Sequence, residues 1–136
     1  MAKPRKTLRL RIPEYVAPRL RWRKLIAALA QRECAKRGIT YHCNEDLELT
    51  VRFYLKGNAL EFHDLDNRLK DVMDALQGRV GGPKKQKPRS PVIPNDKQVF
   101  KVIVEKAAPP KQSHGLGHLL LRPLRMTSRI HLTTEN

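Results

Sequence analysis

Negative charge is scarce in this chain of 136 residues. It has 13 Asp and Glu against 28 Lys and Arg, which gives a formal net charge of +15 at pH 7. Such an excess is larger than solubility requires, and it raises the concentration of polyanions near the protein by long-range attraction. Nucleic acid is therefore the expected partner.

Two further shortages narrow the class of protein. Cysteine occurs only as Cys34 and Cys43, and two cysteines without a secretory context are more often reduced core thiols than a disulfide framework. The sequence also lacks a long apolar run, a signal-peptide pattern and a lipidation motif, so a basic membrane-surface protein is the weaker alternative. We expect a cytoplasmic, nucleoid-associated protein with no membrane partner.

The length suits one domain with a single hydrophobic core. Residues 1–6 are polar and basic, which predicts an N-terminal arm, and residues 125–136 are polar, which predicts a flexible C-terminal tail. The domain itself is expected to span residues 7–124.

Three stretches alternate apolar with polar residues at the period of a half-buried strand, and a short apolar run follows them. The last two of these four segments are separated by a turn that contains Pro109, Pro110 and two glycines, so we expect them to pair with each other. The predicted strands cover residues 7–12, 47–55, 98–104 and 118–121.

Two other stretches have apolar residues at helical spacing, and a glycine follows each, at Gly38 and Gly78. The predicted helices cover residues 18–37 and 65–77. Their inward positions are Trp22, Leu25, Ile26 and Leu29 in the first helix and Leu69, Val72, Met73 and Leu76 in the second. The order of elements indicates an α/β or α+β fold, with a small single-layer mixed sheet of about four strands and two helices packed on it.

Basic residues form two candidate contacts with a nucleic acid backbone. The first helix carries Arg19, Arg21, Arg23 and Lys24, which either follow a line of phosphates or form an ordinary solvated helix face. Residues 79–91 are rich in Gly, Pro and Lys without periodicity, which predicts a mobile basic loop. That loop adds Lys84, Lys85, Lys87 and Arg89 as candidates.

The second helix opens on an acidic stretch. Asp64 and Asp66 lie two residues apart, and Lys70 lies one helical turn after Asp66 on the same face. A structural interpretation is available, because Asp is a common helix cap and Asp66 with Lys70 has the spacing of a surface ion pair. An acidic cluster in a strongly basic protein is also what a metal-dependent enzyme acting on a polyanion requires.

Two carboxylates that converge on one point could hold a divalent ion. Mg²⁺ prefers oxygen ligands, and one or two carboxylates together with water and substrate phosphate suffice for it. Asp96, which follows the basic loop at the start of a strand, is the candidate for a third carboxylate that would allow a two-ion site. Lys70 could neutralise charge on the phosphate or orient the nucleophilic water.

These residues resemble a known family. The stretch Asp64-Leu65-Asp66-Asn67-Arg68-Leu69-Lys70, then Asp74-Ala75-Leu76, then Asp96-Lys97-Gln98-Val99, is similar to the DxDNxxK, DAL and D-x-Q-V pattern of the RusA family of Holliday-junction resolvases. Two departures are Asn95, where the family often has a second acidic residue, and a longer and more basic loop before Asp96.

The resemblance implies a small bacterial or phage α/β homodimer that cuts four-way branched DNA by paired symmetrical nicks in recombination and repair. It implies Mg²⁺ as the cofactor, with Mn²⁺ as an alternative and no small-molecule cofactor. By position, Asp64, Asp66 and Asp96 would match the family's metal-binding aspartates and Lys70 its catalytic lysine. The alternatives are a non-catalytic DNA- or RNA-binding protein and a related nuclease that acts on flaps or forks.

Overall fold

The computed structural model describes residues 6–80 and 91–124. Its strands are β1 (Leu8–Ile12), β2 (Leu47–Tyr54), β3 (Val99–Ala107) and β4 (Gly117–Pro123). Its helices are α1 (Arg19–Arg37), a short α2 (Ala59–Phe62) and α3 (Leu65–Leu76). Single turns of 3₁₀ helix, Asp96–Gln98 and Lys111–Ser113, precede β3 and β4. Each long element lies within a few residues of its predicted position, and α2 was not predicted.

The four strands form one mixed sheet in the order β1-β4-β2-β3. Strand β4 is antiparallel to both β1 and β2, whereas β3 is parallel to β2. Helix α3 makes the crossover between the two parallel strands, a connection that a hairpin cannot provide. The predicted fold class, a small mixed sheet of about four strands with helices packed on it, is confirmed.

The predicted pairing of the last two strands with each other is wrong. Strand β4 lies between β1 and β2, and β3 lies at the edge beyond β2. The burial pattern fits this order, since Leu119 and Leu121 of β4 are 2% and 0% exposed, whereas Val102 of β3, on the same face of the sheet, is 38% exposed. Ile103 of β3 is 49% exposed, which suits an edge strand.

The helices cover one face of the sheet and form a single core with it. Leu49 and Val51 of β2 point to this face, where Trp22 and Ile26 of α1 and Val72 of α3 join the same buried cluster. The packed side of α1 differs in one respect from the predicted side. Leu25 is 41% exposed, while Ala27 and Ala30 are buried, since their small side chains allow α1 to approach its neighbours closely.

The opposite face of the sheet has no helix against it among the described residues. Alternation along the strands places Arg9 and Arg11 of β1, His118 of β4 and Arg52 of β2 on this side. Over residues 6–80 and 91–124 the fold therefore has two layers, helices and sheet, with one side of the sheet open.

Two expectations from composition can be compared with the structure. Within residues 6–80 and 91–124, no helix is long and apolar enough to cross a membrane. Cys34 and Cys43 are free thiols, but Cys34 is half-buried and Cys43 is exposed, so the expectation that both are core residues is wrong for Cys43. Lys6, which we assigned to the N-terminal arm, forms an ion pair with Glu45 at 2.5 Å and so contacts the domain.

Candidate active site

Helix α3 begins directly after Asp64, which holds the position of its N-cap in an extended conformation with ψ of 133°. The Asp64 side chain makes no capping hydrogen bond to the helix backbone. It accepts one hydrogen bond, at 3.3 Å, from Nδ2 of Asn67. Capping therefore does not account for Asp64, and its exposed carboxylate retains most of its ligand capacity.

Asp66 and Lys70 are both exposed on the first turns of α3. Among the ion pairs of the described residues, which extend to 4.0 Å, none joins Asp66 to Lys70. The interpretation of these two side chains as a simple surface ion pair is therefore not realised. Asp64, Asp66 and Lys70 form one exposed acidic and basic cluster at the start of the helix.

His63 lies directly before this cluster and adds a neutral ring to it. Desolvation lowers the pKa of His63, and the positive charges of Arg68 and Lys106 lower it further, against the smaller opposing effect of Asp64. The ring packs edge-on against Tyr15, with centroids 4.7 Å apart. An uncharged His63 at neutral pH does not neutralise the Asp64 carboxylate by an ion pair.

Asp96 lies at the opposite end of the sheet from this cluster. The backbone N–H groups of Val92 and Ile93 donate to the carbonyl of Leu76, which fixes the chain before Asp96 at the C-terminal end of α3. Asp64 is at the N-terminal end of the same helix, and its 12 residues extend over about 18 Å. A single chain therefore does not bring Asp96 to Asp64 and Asp66.

The contacts at the far end of β3 agree with this separation. Lys106, next to the last residue of β3, donates from Nζ to the carbonyl of His63 at 3.1 Å. The acidic pair thus adjoins the end of β3, whereas Asp96 precedes its start. In the part of the chain that the structure describes, no three His, Cys, Asp or Glu side chains form a group able to hold a metal ion.

The residues around Asp96 have a structural function that the sequence did not reveal. The side chain of Asn95 accepts from the N–H of Lys97 at 2.9 Å, and Oε1 of Gln98 accepts from the N–H of Asn95 at 3.0 Å. Nε2 of Gln98 also donates to the carbonyls of His42 and Glu45, at 2.6 and 3.0 Å. This turn presents Asp96 to solvent, and its Gln98 joins the start of β3 to the chain before β2.

Asp71 is the main charged residue that sequence analysis missed. Its carboxylate is fully buried and pairs with Arg19 at 3.0 Å, Arg23 at 2.8 Å and Arg68 at 3.3 Å. The hydrogen bond to Asp71 is the largest cause of the raised pKa of Arg19. The signal for this cluster was Asp71 three residues after Arg68, opposite two arginines one turn apart on α1.

This cluster changes the interpretation of the basic face of α1. Arg23 is turned toward α3, where it pairs with Asp74 at 3.3 Å as well as with Asp71. The Arg19 side chain pairs with Asp71 but remains 45% exposed. Arg21 and Lys24 are exposed and remain candidates for phosphate contacts. The other basic candidates, Lys84, Lys85, Lys87 and Arg89, lie outside the described residues, as do residues 1–5 and 125–136.

Arg68 connects the acidic cluster to the core. Its guanidinium lies 4.0 Å from the centroid of the Tyr15 ring and 5.9 Å from that of Trp22. Its Nε and Nη1 atoms are buried without a hydrogen-bond partner among the described residues. Arg68 also lines a cavity of about 10 Å³, which is room for about one water molecule. A buried water there would satisfy the guanidinium.

The side chains of Asp64 and Asp66 fit a hard divalent cation. They are oxygen donors, they are exposed, and the ion pairs of the described chain do not engage them. Mg²⁺ or Mn²⁺ would take its other ligands from water and substrate phosphate. Neither the comparison with protein-family models nor the search of curated proteins finds a match to this chain. The motif alone therefore carries the resemblance to the RusA family.

Proposed function

We propose that this protein is a Mg²⁺-dependent, structure-selective DNA endonuclease that resolves four-way junctions by paired nicks. The observation that carries the proposal is the exposed pair Asp64 and Asp66, whose carboxylates are engaged neither in capping nor in ion pairs among the described residues. The chain's net charge of +15 supplies attraction for the DNA. Nearby anionic side chains would oppose DNA binding unless a cation neutralises them.

The residues would divide the chemistry as follows. Asp64 and Asp66 hold the ion, and Asn67 orients Asp64 through its hydrogen bond. Lys70, one turn along α3, contacts the scissile phosphate and neutralises charge that develops on it. The chemistry that Mg²⁺ supplies when bound is neutralisation of phosphate charge and activation of water as a nucleophile. Arg68 fixes the first turn of α3 against Tyr15 and Asp71.

Asp96 can join this site only from a second copy of the chain. Strand β3 is an edge strand, and its Val102 and Ile103 are 38% and 49% exposed. Exposed apolar edge strands tend to pair with another strand. Antiparallel pairing of two β3 strands about a twofold axis would place the start of one beside the end of the other. Asp96 would then approach the partner's acidic pair, and the dimer would have two sites.

A mixing experiment tests this shared arrangement. We expect Asp66→Asn and Asp96→Asn homodimers to be inactive, and their mixture to recover about a quarter of wild-type nicking after subunit exchange. Both substitutions fall in one site of a mixed dimer, so its other site is intact. The measurement is nicking of a labelled junction in Mg²⁺. If the mixture stays as inactive as each parent, Asp96 does not act across the dimer.

The separation of Asp96 from the acidic pair also favours a second candidate function. A non-catalytic DNA- or RNA-binding protein would not need the three aspartates to lie close together. Its α1 arginines would contribute to stability through Asp71. Such a protein would bind nucleic acid with a steep salt dependence and give no metal-dependent product on any substrate.

One assay separates these functions. Labelled four-way junction, flap and fork DNA are incubated with the protein in Mg²⁺, in Mn²⁺ and in EDTA. We expect symmetrical nicks in the junction with either metal and none in EDTA. Stronger cleavage of the flap or fork would identify a related nuclease with a different substrate, and binding without cleavage on all three would identify a binding protein.

A further inference from the structure

The open face of the sheet forms a basic groove that the proposed chemistry does not use. The groove has a volume of about 520 Å³ and is bordered by Arg9 and Arg11 of β1, Arg52 of β2 and His118 of β4. It lies on the side of the sheet away from α1 and α3, and the acidic cluster belongs to the helical layer. A ligand in the groove would not contact Asp64 or Asp66.

The strand register arranges the groove in rows across the sheet. Arg11, His118, Arg52 and Glu105 form one row, and Arg9, Leu120, Thr50 and Ile103 form the next. The second row supplies an apolar floor, since Leu120 lines the groove and is half-buried. Basic groups therefore line a partly apolar channel about two strand spacings, or about 10 Å, wide.

The positive charge of the groove is available to a ligand. Arg11 donates from Nε to the carbonyl of Gly117 at 3.0 Å and from Nη2 to that of Leu116 at 2.6 Å, so its guanidinium is held in place by neutral groups. Arg52 pairs with Glu105, but these side chains are 46% and 47% exposed, and an exposed pair of this kind contributes little energy. A phosphate could displace Glu105 from Arg52.

His118 provides an uncharged hydrogen-bonding group within the same row. Its Nε2 lies 3.1 Å from the hydroxyl of Tyr54, and desolvation together with Arg11 and Arg52 lowers its pKa. A neutral imidazole beside arginines suits contact with a base or a sugar hydroxyl, while the arginines suit phosphates. The groove thus combines the two kinds of contact that a nucleic acid strand offers.

We infer that this groove binds single-stranded DNA, with Arg9, Arg11 and Arg52 on its phosphates and bases against Leu120. A duplex is a poorer fit, because its bases are paired and stacked inside the helix and cannot lie against the apolar floor of the channel. A second copy is also a poorer fit, since the open face carries five basic and two acidic side chains and would repel itself. The choice of DNA over RNA rests on the proposed function.

The test measures anisotropy of a short labelled oligo-dT strand in EDTA, where cleavage plays no part. We expect Arg9→Gln/Arg11→Gln to weaken binding roughly tenfold and to reduce the slope of log affinity against log salt by about 1.4, since each phosphate contact on a single strand contributes about 0.7. The matched control, Arg32→Gln/Lys36→Gln, removes the same charge from exposed positions of α1 and should leave binding nearly unchanged.

A variant that binds the DNA strand more tightly excludes misfolding as the explanation of the result. Glu105→Gln removes the acidic partner of Arg52, so we expect tighter binding of the strand, an effect that a damaged fold cannot produce. The inference is overturned if the α1 control weakens binding as much as the groove variant, or if Glu105→Gln does not tighten it. It is also overturned if the groove variant weakens duplex or oligo-U binding equally, or changes the sedimentation of the free protein. Loss of junction cleavage alone leaves these binding results unaffected.

Discussion

Asp66→Asn is expected to reduce metal-dependent cleavage of a four-way junction by at least about a hundredfold while the junction is still bound. Changes to residues that merely support a metal ligand typically cost 10- to 100-fold, and the loss of a ligand should exceed them. Binding should persist or strengthen, because the substitution removes negative charge from a DNA-facing surface. The measurement is single-turnover nicking in Mg²⁺, with junction affinity determined separately in EDTA.

Glu61→Gln is the matched control for this variant. Glu61 is an exposed carboxylate in α2, a few residues before the acidic pair, and its substitution removes the same charge. Wild-type cleavage is expected from it. If Asp66→Asn cleaves at the wild-type rate, Asp66 is not a metal ligand and the proposed site is wrong; if both variants lose activity equally, general charge near the helix explains the effect.

Asp71→Leu is expected to lower the free energy of unfolding by about 3–5 kcal/mol, the usual cost of removing one partner from a buried ion cluster. The variant leaves Arg19, Arg23 and Arg68 without their shared carboxylate, and Arg68 already has two buried nitrogens without a partner among the described residues. Because α1 and α3 meet at Asp71, the loss falls on the contact between the two long helices. Urea denaturation with an unchanged m-value would measure it.

Asp74→Asn serves as the comparison on the same helix. Asp74 is 21% exposed and pairs only with Arg23 at 3.3 Å among the described ion pairs, so about 1 kcal/mol is expected. The double variant Asp71→Leu/Arg68→Leu should be less destabilised than the sum of its single variants, since it removes both charges of one pair. Equal effects of Asp71→Leu and Asp74→Asn would show that burial of Asp71 is not the source of the stability.

The sequence predicted local structure well because periodicity depends on neighbours along the chain. Leu8, Leu10 and Ile12 alternate with polar residues, and the same alternation appears as burial in β1. Strand order does not follow from this pattern, because a strand with one apolar face can lie beside any other strand of that kind. The position of β4 between β1 and β2 depends on the crossover through α3, and adjacency in sequence suggested the wrong partner.

The candidate site, like the fold, was predicted where it depends on neighbours along the chain and not where it depends on contacts between distant elements. Asp64, Asp66 and Lys70 lie within two turns of one helix, and helical geometry alone brings them together. Asp96 was added from its place in a motif, and a motif does not give the distance between Asp96 and the acidic pair. The parallel connection puts Asp96 near the C-terminal end of α3, so its relation to the pair is a question of assembly. Asp71 was missed because a charged residue on an apolar face is interpreted only when its partners on another helix are known.

Both long helices lie on one side of the sheet, and this determines the path of any DNA strand that contacts both proposed surfaces. The acidic cluster belongs to the helical layer, and the groove of Arg9 and Arg11 faces away from it. A continuous DNA strand must therefore bend around an edge of the sheet to reach both. If two β3 edges are joined at a twofold axis, β1 is the edge that remains, and the arginines of β1 stand at that corner. The molecule would then favour DNA that can turn sharply, such as a strand at a branch point, over a straight duplex.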